Sequence, residues 1–262
     1  MNRSDIAYLI NSTPKYYYIL ELHLVLLRRY ALNLKWSVFL ATEVPEHPIC
    51  KLLVEKYNVK LLVLEPENTS FLTSRKRALE LLPEEITMVF PIQEDFLLER
   101  FIDENAIQKY IRFLEEDNLL TSIRLMPCPG PNTNNISYND LLSITEEHDT
   151  YGFTFQATLW KRSCCQDWYN TITQKVKSFN NSIESKRLEV DINIAENSDG
   201  QKLFYKLFKN KIIAGVKRAH KYPNAVYLCP WPYRPTAIVK GVLQPFAKEL
   251  AEREGVKIGY QN

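Results

Sequence analysis

Across the first 125 residues, extended apolar runs alternate with segments whose apolar positions recur at helical spacing. The runs are Ile6–Ile10, Trp36–Ala41, Val59–Leu64, Ile86–Ile92 and Leu120–Leu125, and helical patterns over Tyr17–Leu32, Pro48–Tyr57, Ser74–Leu82 and Glu104–Glu116 separate them. Parallel strands need crossover connections and helices bury both faces of such a sheet, so the alternation predicts an α/β fold with a mainly parallel, Rossmann-like sheet. Breakers fall at the carboxyl end of each early strand: Ser12-Thr13-Pro14, Glu43-Val44-Pro45 and Pro66-Glu67-Asn68. Ser12 or Thr13 is placed to cap the first helix with Pro14 in its opening turn, and Thr73 or Ser74 to cap the third.

After a proline- and asparagine-rich loop from Pro127 to Asn139 the pattern changes. Asp149–Trp160 reads as strand-like at first and then gives way to a helix ending near Lys177. Further helices are expected over Ser182–Ile194, Gly200–Phe208 and Val239–Arg253, with a strand at Ala225–Cys229. The expectation is one domain over residues 1–262, with a ligand-binding half (1–126) and a helix-rich half (127–262).

Composition narrows the function classes. Of 262 residues, 45% are apolar, enough for an extended core, and 33 Lys+Arg against 31 Asp+Glu leave a net charge of +2, which provides no basic field for nucleic acid. The longest apolar pattern, Tyr16–Leu34, is broken by Glu21, His23, Arg28 and Arg29, so no transmembrane segment is expected and a cytoplasmic setting follows. Five cysteines at irregular spacing without a CxxC read as reduced structural thiols, and the four histidines as structural or surface residues. No GxGxxG follows the first strand and no GxSxG occurs, against dinucleotide binding and α/β-hydrolase chemistry.

The chemistry concentrates where the run Met88–Ile92 ends in Gln93-Glu94-Asp95. Burying unpaired carboxylates is costly, and the carboxyl ends of strands in open α/β sheets are where ligands bind. Hard divalent cations, Mn²⁺ or Mg²⁺, are held by one or two carboxylates together with phosphate oxygens and water, so Asp95 and Glu94 are the candidate metal ligands.

At this point the chain resembles nucleotide-sugar-dependent glycosyltransferases of the GT-A fold, whose fourth core strand runs into an acidic DxD-type motif that holds a metal and the sugar diphosphate. Gln93-Glu94-Asp95 occupies that slot, with Gln93 in place of the usual first carboxylate. The segment Phe71-Leu-Thr-Ser-Arg-Lys-Arg-Ala-Leu79 looks like the Ser/Asn-Arg helix that lies over the nucleotide-sugar, and implies that Arg75 pairs with the diphosphate. Ser12, Thr13 and Glu43 stand where such enzymes contact base and ribose. Tyr151-Gly-Phe-Thr-Phe-Gln-Ala-Thr-Leu-Trp-Lys-Arg162 looks like the "slQaaiWkr" segment of bacterial and large-virus polysaccharide glycosyltransferases, implying that Gln156 and Trp160 line the acceptor side. Leu188-Glu189-Val190-Asp191 resembles their "WEFE"-like element without its tryptophan. The catalytic base is accordingly expected at Asp191, with Glu189 and Glu196 as rivals. Trp231–Gly241 resembles a loop that closes over the diphosphate, with Lys240 and Arg234 as phosphate partners.

The resemblance implies a hexosyl- or pentosyltransferase of polysaccharide biosynthesis. It would move sugar from a nucleotide diphosphate sugar to a glycan or lipid-linked acceptor, inverting and metal-assisted, in the cytoplasm or, for a viral source, the host cytoplasm. Two other classes stay open. A sugar nucleotidyltransferase would share the strand order and acidic site, but usually needs a glycine-rich loop that Asn11–Lys15 lacks. A carbohydrate-binding or scaffold protein without activity is favoured by Gln93 and opposed by Glu94, Asp95 and Asp191.

Overall fold

The computed structural model describes residues 2–65, 70–180, 193–234 and 236–259. An eight-stranded sheet runs through both halves of the chain in the order β3-β2-β1-β4-β8-β6-β9-β7. Its strands are β1 (Asn2–Asn11), β2 (Lys35–Thr42), β3 (Lys60–Val63), β4 (Met88–Gln93), β6 (Leu120–Arg124), β7 (Leu142–Ile144), β8 (Thr158–Lys161) and β9 (Ile212–Val216). Pairings β1·β2, β2·β3, β1·β4 and β6·β9 are parallel, while β8 runs antiparallel between β4 and β6, and β7 antiparallel to β9. The helix-flanked, mainly parallel sheet expected from the sequence is thus present. Two ribbons complete it: β5 (Leu97–Leu98) with β10 (Tyr233–Arg234), and β11 (Ile238–Val239) with β12 (Val242–Leu243).

The period-two alternation of strand side chains sorts the core into two layers. Ile6, Tyr8 and Ile10 of β1 with Met88, Phe90 and Ile92 of β4 join one cluster, beneath α1 (Leu20–Tyr30), α2 (Pro48–Tyr57) and α4 (Glu104–Glu116). On the other face Ala7, Leu9 and Val89 pack with α3 (Phe71–Leu81), α5 (Arg162–Asn180) and α6 (Ser198–Leu207). Helix α4 shows the expected stripe, burying Ile107, Tyr110, Ile111 and Leu114. Arg162, at the start of α5, donates to the carbonyls of Leu79 (3.2 Å) and Leu82 (2.7 Å), answering the open end of α3.

Several local expectations are corrected. The first helical pattern opens as a 3-10 turn over Pro14–Ile19 before α1, and Ser70, rather than Thr73 or Ser74, caps α3 by accepting from the Thr73 N–H at 3.3 Å. The strand expected at Ala225–Cys229 is replaced at its start by a single helical turn over Asn224–Tyr227, because Pro223 precedes it and the Val226 N–H returns to the Pro223 carbonyl at 3.0 Å. The last helix begins at Pro245 rather than near Val239; Lys240 and Gly241, both at positive φ (50° and 78°), turn the chain between β11 and β12 instead. Asp149–Ala157 is irregular, with the strand confined to Thr158–Lys161. Strands β7 and β9 had no counterpart in the pattern reading. The helix expected over Ser182–Ile194 lies largely outside the described residues.

Phe204, fully buried among Phe153, Trp160, Trp168 and Phe208, anchors the second layer. Phe204→Ala should cost about 3–5 kcal/mol in urea unfolding, whereas Leu32→Ala, at a side chain 65% exposed, should stay within about 0.5 kcal/mol.

Candidate active site

The site is set by where β4 parts from its neighbour. Parallel pairing with β1 continues to Asn11↔Gln93, but antiparallel pairing with β8 ends at Val89↔Trp160. Pro91 then stands in β4 without an N–H to donate, which suits a strand with one open side. Into that opening the sheet admits a cleft lined by Asn11, Arg75, Pro91, Gln93, Phe155 and Gln156. It is narrow: the centre of a water-sized molecule finds only about 20 Å³ there.

Beyond Gln93 the chain turns sharply, with the Phe96 N–H bonded to the Gln93 carbonyl at 3.2 Å. Glu94 and Asp95 occupy this turn and both are buried. Buried His23 of α1 holds the turn from below: its Nδ1 lies 3.0 Å from the Glu94 carbonyl and its Nε2 2.6 Å from the Tyr8 hydroxyl. A carbonyl only accepts, so Nδ1 carries the hydrogen and Nε2 accepts from Tyr8. Burial pushes His23 down to about 4, so it stays neutral through the physiological range. From the other side the C-terminal ribbon is tied in: the Ala237 N–H donates to the Asp95 carbonyl (2.9 Å) and the Ile238 N–H to its carboxylate (3.3 Å).

Burial, and then the neighbouring Asp95 charge, raise Glu94 to about 7. Burial raises Asp95 to about 6 against the pull of the Ile238 N–H. The cation that acts on Glu94 is Arg75, itself buried, with its pKa lowered by desolvation and partly restored by Tyr169 and Glu94. Arg75 makes no ion pair among the described residues; it donates to the Phe71 carbonyl at 3.1 Å and lies 3.3 Å from the Phe71 ring centroid. The Asn11 amide nitrogen is buried with no hydrogen-bond partner among the described residues. The Ser12 hydroxyl lies close enough to Glu94 to lower its pKa but meets no partner at hydrogen-bond geometry. Buried polar atoms without partners are costly, and here they gather at one sheet edge.

The structure therefore brings Ser12, Arg75, Gln93, Glu94 and Asp95 together. Thr13 is exposed on the same edge, and Glu43, at the end of β2, accepts from the Ser74 hydroxyl at 3.4 Å. Lys240 is exposed on the β11–β12 turn, where Lys15 Nζ is 3.8 Å from the point a side chain on Gly241 would occupy, so both lysines lie at this rim. Gln156 accepts from the Tyr233 hydroxyl, whose ring stacks on Phe96 at 4.8 Å. Arg234 is engaged with Glu99 at 3.1 Å. Trp160 offers no free face: it is 4% exposed and packs on Phe153, Phe204 and Phe208. Asp191 and Glu189 lie outside the described residues. Glu196 accepts the Phe155 N–H at 3.0 Å.

Sequence reasoning passed over His23, Tyr233 and Arg124. Buried Arg124 ends β6 and donates to the carbonyls of Pro129 (2.6 Å), Tyr151 and Gly152 (both 2.7 Å), pinning two loops beside the cleft. The available signal was an arginine closing a strand whose other side chains, Leu120 to Ile123, carry no charge.

No family model matches the chain, and no curated protein matches it. Solved structures overlap it in part. Apo-form glycosyltransferase GlyE from Streptococcus pneumoniae shares 12% identity, with 97% of this chain and 61% of that one covered and a TM-score of 0.49. TarS 1-349 from S. aureus, in complex with UDP-GlcNAc, shares 14%, with 81% and 56% covered and a TM-score of 0.44. The 4-diphosphocytidyl-2C-methyl-D-erythritol synthase from Anaerococcus prevotii shares 14%, with 86% and 94% covered and a TM-score of 0.44. This chain spans about three fifths of GlyE and of that TarS segment. Overlaps this loose carry no inference about substrate.

Raised carboxyl values make the folded protein bind more protons than the unfolded chain. Stability from Glu94 and Asp95 is therefore fullest below their unfolded values of 4.5 and 3.8, and is lost as pH rises through about 6 to 7. In chelator-containing buffer, urea unfolding should show this decline, and Glu94→Gln with Asp95→Asn should flatten it; an unchanged slope in the double variant would place its origin elsewhere.

Proposed function

We propose that this protein is a GT-A-like glycosyltransferase that binds a nucleotide diphosphate sugar at the carboxyl edge of β1, β2 and β4 and transfers the sugar, with inversion, to a hydroxyl of a glycan or lipid-linked acceptor. One observation carries the reading: two buried carboxyls with raised pKa values share the parallel-strand edge with a buried arginine that has no ion pair among the described residues and with two unpartnered polar atoms, Asn11 Nδ2 and Ser12 Oγ. Such an edge is complementary to a ligand that brings cationic charge for the carboxylates and anionic oxygens for the arginine. A metal-bound diphosphate has both.

Asp95 and Glu94 fit a hard divalent cation, Mn²⁺ or Mg²⁺, by their oxygen donors and by their tendency to protonate when no cation neutralises them. Among the described residues no three His, Cys, Asp or Glu side chains converge, which suits an ion that completes its shell with phosphate and water. When bound, the ion would offset charge on the departing diphosphate. Arg75 turns from Phe71 to phosphate oxygens, with Lys240 and Lys15 closing from the rim. Ser12, Thr13, Glu43 and Gln93 contact base and ribose. In the transfer, the acceptor oxygen forms a bond to the anomeric carbon as the bond to the diphosphate oxygen breaks. The hydroxyl proton passes to a carboxylate, assigned to Asp191 or Glu189. The proposal extends to a role in polysaccharide assembly in the cytoplasm. No helix among the described residues is long and apolar enough to cross a membrane.

A panel of nucleotide-sugars with and without Mn²⁺, read by thermal denaturation, tests this. A true donor at about a hundredfold its Kd should add about 2.7 kcal/mol, in a metal-dependent way that Asp95→Ala abolishes. Arg75→Lys should weaken binding roughly tenfold or more, since a point charge cannot replace a bidentate fork. No shift with any nucleotide-sugar would defeat the proposal, and stabilisation by nucleoside triphosphates alone would assign the edge to nucleotidyl transfer.

A further inference from the structure

Beside the narrow cleft, the loop 147–151 and α6 enclose a groove offering about 730 Å³ to water-sized centres, in the range of sites that hold sizeable ligands. Its walls include Tyr151, Tyr205, Glu147, Glu196, Lys202 and Lys206. The floor is rigid. Gln201 exchanges two hydrogen bonds of 2.8 Å with the Phe153 backbone, and Arg124 clamps the Tyr151 and Gly152 carbonyls from beneath. Gly152 has no side chain to obstruct the Tyr205 ring that lies against it.

Three features describe the ligand. Tyr205 is 8% exposed and its hydroxyl has no partner among the described residues, so a polar atom in the wall is unanswered by them. Tyr151 is 38% exposed and presents an aromatic surface at the rim. The formal charges of the wall balance: Lys202, Lys206 and Lys209 stand against Glu147, Asp149 and Glu196, of which Asp149 accepts from the N–H groups of Asn132 (3.0 Å) and Glu146 (2.8 Å) and from the Asn135 amide, and Glu196 from the Phe155 N–H (3.0 Å). A polyanion would meet the glutamates and a polycation the lysines. A polyhydroxylated, uncharged ligand with apolar ring faces meets neither penalty.

We infer that this groove binds an uncharged oligosaccharide and, resting on the glycosyl-transfer reading above, that this segment is the acceptor. The backbone Phe153–Gln156 links the two sites: Phe155 and Gln156 line the cleft, while Phe153 and Phe155 are hydrogen-bonded to Gln201 and Glu196 of the groove. A chain in the groove is thus joined to the donor edge through this backbone segment.

The test is binding of the full chain to an immobilised panel of neutral, uronate-bearing and phosphorylated oligosaccharides, with nucleotide-sugar stabilisation measured in parallel. Neutral oligosaccharides should be retained, with affinity little changed on raising the salt. Tyr151→Ala should weaken that binding roughly tenfold and Tyr205→Phe several-fold, both leaving nucleotide-sugar stabilisation unchanged. Failure to retain any neutral member, preference for acidic members, or binding indifferent to both substitutions would overturn the assignment. Neutral-glycan binding that follows the substitutions, without any response to nucleotide-sugars, would keep the groove and remove the transferase reading.

Discussion

The parallel pairing of β1 with β4 is the constraint on which the site depends. It brings Asn11 and Gln93 level at one edge, so that everything following either strand emerges at the same place. Because β8 releases β4 after Val89, that edge opens on one side only. The strand that carries the acidic turn is therefore held by a continuous ladder on one side and borders the narrow cleft, which Gln93 lines, on the other. Neutral His23 secures the turn through its backbone, leaving both carboxyl groups free for other partners.

Around this turn the chain gathers segments distant in sequence. Tyr233 spans from Phe96 to Gln156, and the backbone of Ala237 and Ile238 grips Asp95. These contacts are polar and specific where the two core layers are apolar and extensive, a division in which burial fixes the frame and hydrogen bonds fix the site.

Much of the frame was legible because burial on both faces writes long apolar runs, as in Ile6–Ile10 and Ile86–Ile92, and the change from Ile92 to Gln93-Glu94-Asp95 marked the edge directly. Short elements were not legible. Strand β9 contains a glycine, with Pro131 packed where its side chain would be, and that glycine interrupts the otherwise strand-like run Ile212–Val216. The resemblance implies Trp160 on the acceptor side, and its packing against Phe204 puts the ring in the core instead. Arg124 was unreadable since its partners are backbone carbonyls, which every residue supplies alike, and reading His23 as a structural or surface residue could not name the Tyr8 hydroxyl and the Glu94 carbonyl as its partners.

The grip of Ile238 on Asp95 joins residues 143 positions apart. During synthesis, the acidic turn emerges long before the segment that covers it exists, and until then the two carboxyls stay hydrated as ordinary surface acids. Their unusual proton affinity is thus acquired late, as a product of long-range closure rather than of local sequence, and a contact of such separation places this edge among the slowest parts of the molecule to mature.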